Sequence, residues 1–139
     1  MHEKDIQPCY TNGKTLASCF FLFQGIASIV WWYLMFSDDR LRSVFFGSFP
    51  LEAVKAFVGP DAIFYVVGSF VCAWAVSKNA RYRNAALSLM TGGCGYATIL
   101  TIGLACNLNT GWVGPSLMLA SFASIVLLTL SLSRRGLDK

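Results

Sequence analysis

Histidine is all but missing from this chain: His2 is its single example, close to the N-terminus. That argues against haem, against a histidine-built metal site, and against chemistry that needs imidazole as acid, base or nucleophile. Charge is scarce as well. Charged residues make up 13% of the sequence, against about 25% in an average soluble domain. A soluble chain of 139 residues has too much surface to cover with so few. Five cysteines are present (Cys9, Cys19, Cys72, Cys94 and Cys106), but no C-x-x-C pair and no cysteine–histidine spacing suited to a metal. They read as small apolar residues of helix interiors, and neither a metal nor a cofactor is called for. Internal repeats, low-complexity tracts and lipidation motifs are also missing.

What fills the chain is apolar sequence, 55% of its residues, with a mean hydropathy of +0.57. This identifies an integral membrane protein of one domain. The net charge of +4 is no sign of nucleic-acid binding, because the basic residues sit between apolar runs, where they set topology.

The expected fold is all-α, a bundle of four transmembrane helices. After a polar tail over 1–14, the first span covers 15–36. At about 1.5 Å per residue it reaches roughly 33 Å, enough to cross a bilayer. It is too long for a signal-peptide core, so it belongs to the mature protein. Trp31, Trp32, Tyr33 and Phe36 crowd its end, as an interfacial belt does. The connection over 37–59 begins with Asp38, Asp39, Arg40 and Arg42 and then turns aromatic at Phe45, Phe46 and Phe49. Pro50 suits the first position of a helix. Leu51, Val54, Phe57 and Val58 share one face, which predicts a short amphipathic interfacial helix over 50–58. Gly59-Pro60-Asp61 is expected to end that helix and to start the second span, 61–77, with Asp61 near the helix N-terminus. The third span, 85–108, follows a basic turn. A polar turn carrying Trp112 leads to Pro115 and the fourth span, 115–132. A single transmembrane domain therefore covers 15–133, with a second tail over 134–139. Short turns make the last three spans sequential antiparallel neighbours.

Eight of the eleven basic residues lie in the two tails and in the turn after the second span. The positive-inside rule then puts both termini in the cytoplasm and the long connection outside. The lack of long loops and of glycosylation signals favours a bacterial inner membrane.

Three groups of residues carry possible function. Gln24, Tyr96 and Ser124 fall near the bilayer midplane by residue count, where polar side chains need partners inside the protein. They are expected to form an interhelical hydrogen-bond cluster or the polar floor of a pocket. No span contains a charge at midplane on this division, which disfavours a proton-coupled transporter. The outward connection gathers Asp38, Arg40, Arg42 and Asp61. With Trp32 and Tyr65 they are candidates for holding a membrane lipid by its head group. In the third span, Gly93, Ala97, Thr101 and Ala105 form a stripe of small residues. Such stripes mark close helix approach, which points to a homo-oligomer or to a membrane-protein partner.

Four stretches carry a family resemblance. They are Trp31-Trp32, Phe57-Val58-Gly59-Pro60-Asp61 leading to Gly68-Ser69, Gly95-Tyr96-Ala97-Thr98, and Thr110-Gly111-Trp112 before Met118. Their order resembles the N-terminal four-span membrane module of bacterial isoprenylcysteine-methyltransferase-like proteins, over roughly Phe20 to Leu130. The methyltransferase core that would follow has no counterpart here, so the resemblance implies a fold and not an activity. It also implies that Asp61, Gly68, Ser69 and Tyr96 are recurrent positions of the module.

No catalytic signature is present, and whether the protein is an enzyme stays open. Two functions are compatible with these readings. One is a non-catalytic accessory or scaffold module. The other is a lipid- or isoprenoid-binding protein or enzyme, with an outward-facing site between the first loop and the helix tops. A pocket enclosed by Trp31, Trp32, Phe57, Phe64 and Tyr65 would favour the second. A solid bundle whose small-residue stripes face a partner would favour the first.

Overall fold

A computed structural model describes residues 8–134, with side chains over 13–133. Every regular element among the described residues is helical. They are α1 (Pro8–Ser37), α2 (Asp39–Phe46), α3 (Leu51–Ser77), α4 (Arg83–Leu108) and α5 (Val113–Arg134). All but α2 are long and apolar enough to cross a membrane, and the chain is a multi-pass membrane protein on that ground. Helix α1 takes in residues 8–14 that the sequence reads as tail. The calls for residues 1–7 and 135–139 lie outside the described residues.

The second span departs from the expected division. The stretch over 51–58 is helical, with Pro50 at its N-cap, but it does not end at Gly59-Pro60-Asp61. It runs on as the first part of a 27-residue helix, Leu51–Ser77. Pro60 lacks an amide hydrogen and clashes with the carbonyl one turn earlier. In water those conditions end a helix. In lipid a broken helix exposes further unsatisfied backbone groups, so the cheaper solution is to continue and adjust the turn locally. The adjustment is visible directly after the proline: Ala62–Gly68 is a π-helix, and α-helical geometry resumes at Ser69. The short amphipathic helix of the connection exists, but it is α2, over Asp39–Phe46, and not 50–58.

The spanning helices follow one another around the bundle. α1 packs on α3, α3 on α4, and α4 on α5, while α1 and α5 scarcely touch. Helix α2 contacts both α1 and α5 and so roofs the gap between them. Two separate cores result. One, around Phe21, Cys72, Leu87, Met90, Cys94 and Ile125, joins all four spanning helices. The other, around Trp32, Met35, Val54 and Phe57, lies under α2 and the 47–50 connection. Polar contacts tie the helices together in the first core: Ser18 Oγ donates to Ala73 O at 2.9 Å, and the Thr91 and Thr129 hydroxyls meet at 3.1 Å.

The α2 end of the bundle closes by a crossing of two turns. Gly47 and Gly111 both have left-handed backbones, with φ of 57° and 70°. A side chain on Gly111 would sit 2.8 Å from Phe46 O, and one on Gly47 would run into Thr110. Glycine is required at both for conformation and for room.

Candidate functional site

A cavity of about 410 Å³ occupies the gap between α1 and α5. It starts beneath the crossed turns, among Phe46, Phe49, Gly111, Gly114 and Pro115. It continues along Trp31, Trp32 and Phe57 to Phe20, Phe23, Leu117 and Met118. Its size falls within the range of small-molecule sites, about 300–1,000 Å³. Aromatic contacts fix its wall. Trp31 meets Phe45 edge-on with ring centroids 4.3 Å apart, Trp32 stacks on Phe46 at 6.3 Å, and Phe46 meets Phe49 at 6.0 Å. Such pairs hold rings in defined orientations, so the wall has a shape of its own without a ligand.

The floor is polar. Asp61, Tyr65 and Gln24 all line the cavity. The Trp32 indole N–H donates to Asp61 Oδ2 at 3.2 Å, and the other carboxylate oxygen, Oδ1, is buried with no hydrogen-bond partner among the described residues. The Tyr65 hydroxyl and both amide atoms of Gln24 are buried and unpartnered in the same sense. Gln24 is only 8% exposed and Tyr65 7%. Tyr65 lies within reach of Thr98 and Cys94; the Thr98 hydroxyl gives its proton to Cys94 O at 2.7 Å, so towards Tyr65 it can only accept. Ser69 Oγ, one turn further along α3, is the remaining unpartnered group.

This pattern is selective. Many other hydroxyls of the spans are bonded within their own helices, among them Ser28 Oγ to Gln24 O at 2.8 Å and Thr101 Oγ1 to Thr98 O at 2.9 Å. Buried polar groups in folded proteins are nearly always paired, and a group left unpaired costs about 1–3 kcal/mol. Among the described residues, the unpaired buried side-chain groups belong to Gln24, Asp61, Tyr65 and Ser69 alone. Three of these four face one cavity.

The structure rearranges the sequence-derived candidates. Trp32, Asp61 and Tyr65 come together. Asp38, Arg40 and Arg42 do not join them, because they build the α1–α2 corner. Asp38 Oδ1 accepts from the Arg40 and Leu41 amides at 2.8 and 3.1 Å and caps α2. Arg42 pairs with Asp39 at 2.7 Å and donates to Met35 O, at the end of α1, at 3.4 Å. Arg40 is exposed. Asp61 also changes character. It lies ten residues into α3, roughly 15 Å along it. The expectation that Asp61 begins the second span is thereby corrected.

The midplane cluster does not form either. Gln24 reaches the cavity, Tyr96 points away with 69% of its surface exposed, and Ser124 Oγ bonds Ala120 O of its own helix at 2.9 Å. The small-residue stripe turns inward. Ala97, Thr101 and Ala105 are buried in the bundle, and Gly93 lies against the Phe64 ring. Most of it accommodates neighbouring helices of the same chain, while Gly93 and Ala97 also line an apolar groove. Phe64 itself lines that groove, which is separate from the cavity. Sequence reasoning missed Phe46, Phe49 and Met118 as parts of the wall. The aromatic run Phe45-Phe46…Phe49 in a polar connection was the available signal.

Comparison with protein-family models, with curated proteins and with solved structures returns no match.

Proposed function

We propose that the protein is a membrane-embedded binding protein for a lipid or isoprenoid, whose apolar body lies between α1 and α5 and whose polar end meets Asp61, Gln24 and Tyr65. The observation that carries this reading is the concentration of unpartnered buried polar groups on the floor of one aromatic cavity. Evolution retains such groups at the cost of stability where a ligand uses them. The wall contains four of the five residues that distinguish a pocket from a solid bundle: Trp31, Trp32, Phe57 and Tyr65. The stripe of Gly93, Ala97, Thr101 and Ala105 packs largely against helices of the same chain, so the cavity supports the binding reading better than the stripe supports a scaffold. In a bacterial inner membrane with both termini in the cytoplasm, as the basic residues favour, the α2 end faces outward and the cavity lies in the outer half of the bilayer. A relation to the four-span module of isoprenylcysteine-methyltransferase-like proteins fits the four-helix architecture and the placement of Asp61 at the site. Tyr96, on the outer surface, contributes nothing to it.

Native mass spectrometry of the protein extracted with its own lipids tests the proposal. A stoichiometric small molecule is expected on the wild type and is expected to be lost from Phe57→Ala and Trp31→Ala. A bare chain, or one bound only to another polypeptide, would overturn the reading.

A further inference from the structure

The cavity's chemistry narrows the ligand, given that the cavity is a binding site at all. Among the described residues, Asp61 is the only acidic or basic side chain in the lining, and no lysine or arginine lines it. Arg42 is engaged by Asp39 and by the end of α1, and Lys55 pairs with Glu52 at 3.0 Å. A carboxylate in a low-dielectric interior demands a countercharge or a proton. The chain supplies one indole N–H to Oδ2 and nothing to Oδ1. The rings of Trp31, Trp32, Phe46, Phe49 and Phe57 line the same cavity as this carboxylate. Aromatic faces are negative in their quadrupole and attract cations. Gln24 and Tyr65 line the same cavity, and the Gln24 amide oxygen and nitrogen and the Tyr65 hydroxyl, acceptors and donors alike, are unpartnered among the described residues. Among the described residues, a phosphate or carboxylate head group would meet one like charge and no cation here.

From this arrangement we infer that the cavity selects a lipophilic ammonium cation, an apolar molecule whose protonated amine donates to Asp61 Oδ1 and Gln24 Oε1 inside the aromatic wall. Positive charge satisfies the carboxylate and the ring faces together, and the Gln24 oxygen can accept from the same ammonium. A neutral alcohol satisfies only part of this set, by bonding a protonated Asp61.

Three probes that share a skeleton and differ in head charge test the inference: 4-phenylbutylamine, 4-phenylbutan-1-ol and 4-phenylbutanoate. Their binding to the full chain in lipid nanodiscs is read by calorimetry, with empty nanodiscs subtracted. The expected order is amine, then alcohol, then carboxylate, with the amine tighter than the alcohol by roughly tenfold or more. In Asp61→Asn, which keeps an acceptor for Trp32, the amine is expected to fall to the affinity of the alcohol. An alcohol that binds as tightly as the amine, or a carboxylate that binds best, would overturn the charge inference and leave the cavity reading intact. An amine preference that persists in Asp61→Asn would overturn the role of Asp61. Binding of none of the three would overturn both readings. Should Asp61→Asn fail to fold, the order measured on the wild type still decides.

Discussion

Gln24→Leu separates groups kept for the fold from groups kept for a ligand. Gln24 is 8% exposed, and both side-chain amide atoms are buried without a hydrogen-bond partner among the described residues. The contact at this position that does serve the fold, Ser28 Oγ to Gln24 O at 2.8 Å, uses the backbone and survives the change. Leucine has similar bulk, so no large void opens. Removing an unpaired buried polar group recovers about 1–3 kcal/mol of desolvation. The ligand-free variant is therefore expected to be more stable than the wild type by about 1–2 kcal/mol, the lower part of that range, because the cavity admits some relaxation. Steric trapping in bicelles measures this difference in a membrane-like solvent. The same substitution is expected to reduce retention of the native ligand, so stability and binding move in opposite directions. A destabilisation of about 1 kcal/mol or more would show that the amide holds the bundle together, and the reasoning from unpaired groups would fall.

Other consequences follow from particular contacts. Trp32→Phe removes the N–H that donates to Asp61 at 3.2 Å while keeping an aromatic wall; a cost of about 1 kcal/mol in the same unfolding assay is expected, and no change would mean that the bond is immaterial. Gly111→Ala forces a side chain onto a left-handed backbone (φ 70°) and to 2.8 Å from Phe46 O, with an expected loss of at least about 2 kcal/mol; a neutral result would show that the crossed turns are loosely packed. For topology, Ser48→Cys places a thiol in the connection between α2 and α3, and an impermeant maleimide is expected to label it on intact cells in a background with Cys106→Ala. Labelling only after lysis would reverse the assigned orientation.

The four-helix architecture is legible in the sequence because membrane spans are long and hydropathy marks them directly. The aromatic cluster at Trp31-Trp32 also points to the correct end of α1. What stays hidden is the phase of each helix. A span surrounded by lipid is apolar all round, so no amphipathic face tells which side turns inward. Tyr96 illustrates this. It is one residue from Ala97, about 100° around the helix. Once Ala97 packs inward, as the small-residue stripe requires, Tyr96 is carried away from the interior. The depth of Asp61 is hidden for a different reason. Gly59-Pro60 carries a helix stop in water, and only the lack of solvent for broken backbone hydrogen bonds makes α3 run through it. The site became visible only when that continuation moved Asp61 from a helix start into the bundle. Asp38 and Arg42 show the converse: charges near a membrane surface suggested a head-group site, but in the structure these two close the corner between α1 and α2, apart from the cavity.

The most direct test of the central claim is an experimental structure of the protein in nanodiscs made with its native lipids, read for density in the gap between α1 and α5. The account predicts an elongated non-protein feature lying along Trp31 and Phe57, with one end within hydrogen-bond distance of Asp61 Oδ1 and Gln24. A collapsed gap in which Gln24, Asp61 and Tyr65 bond to one another would contradict it, because the unpaired groups would then be part of the fold and no ligand would be needed to explain them.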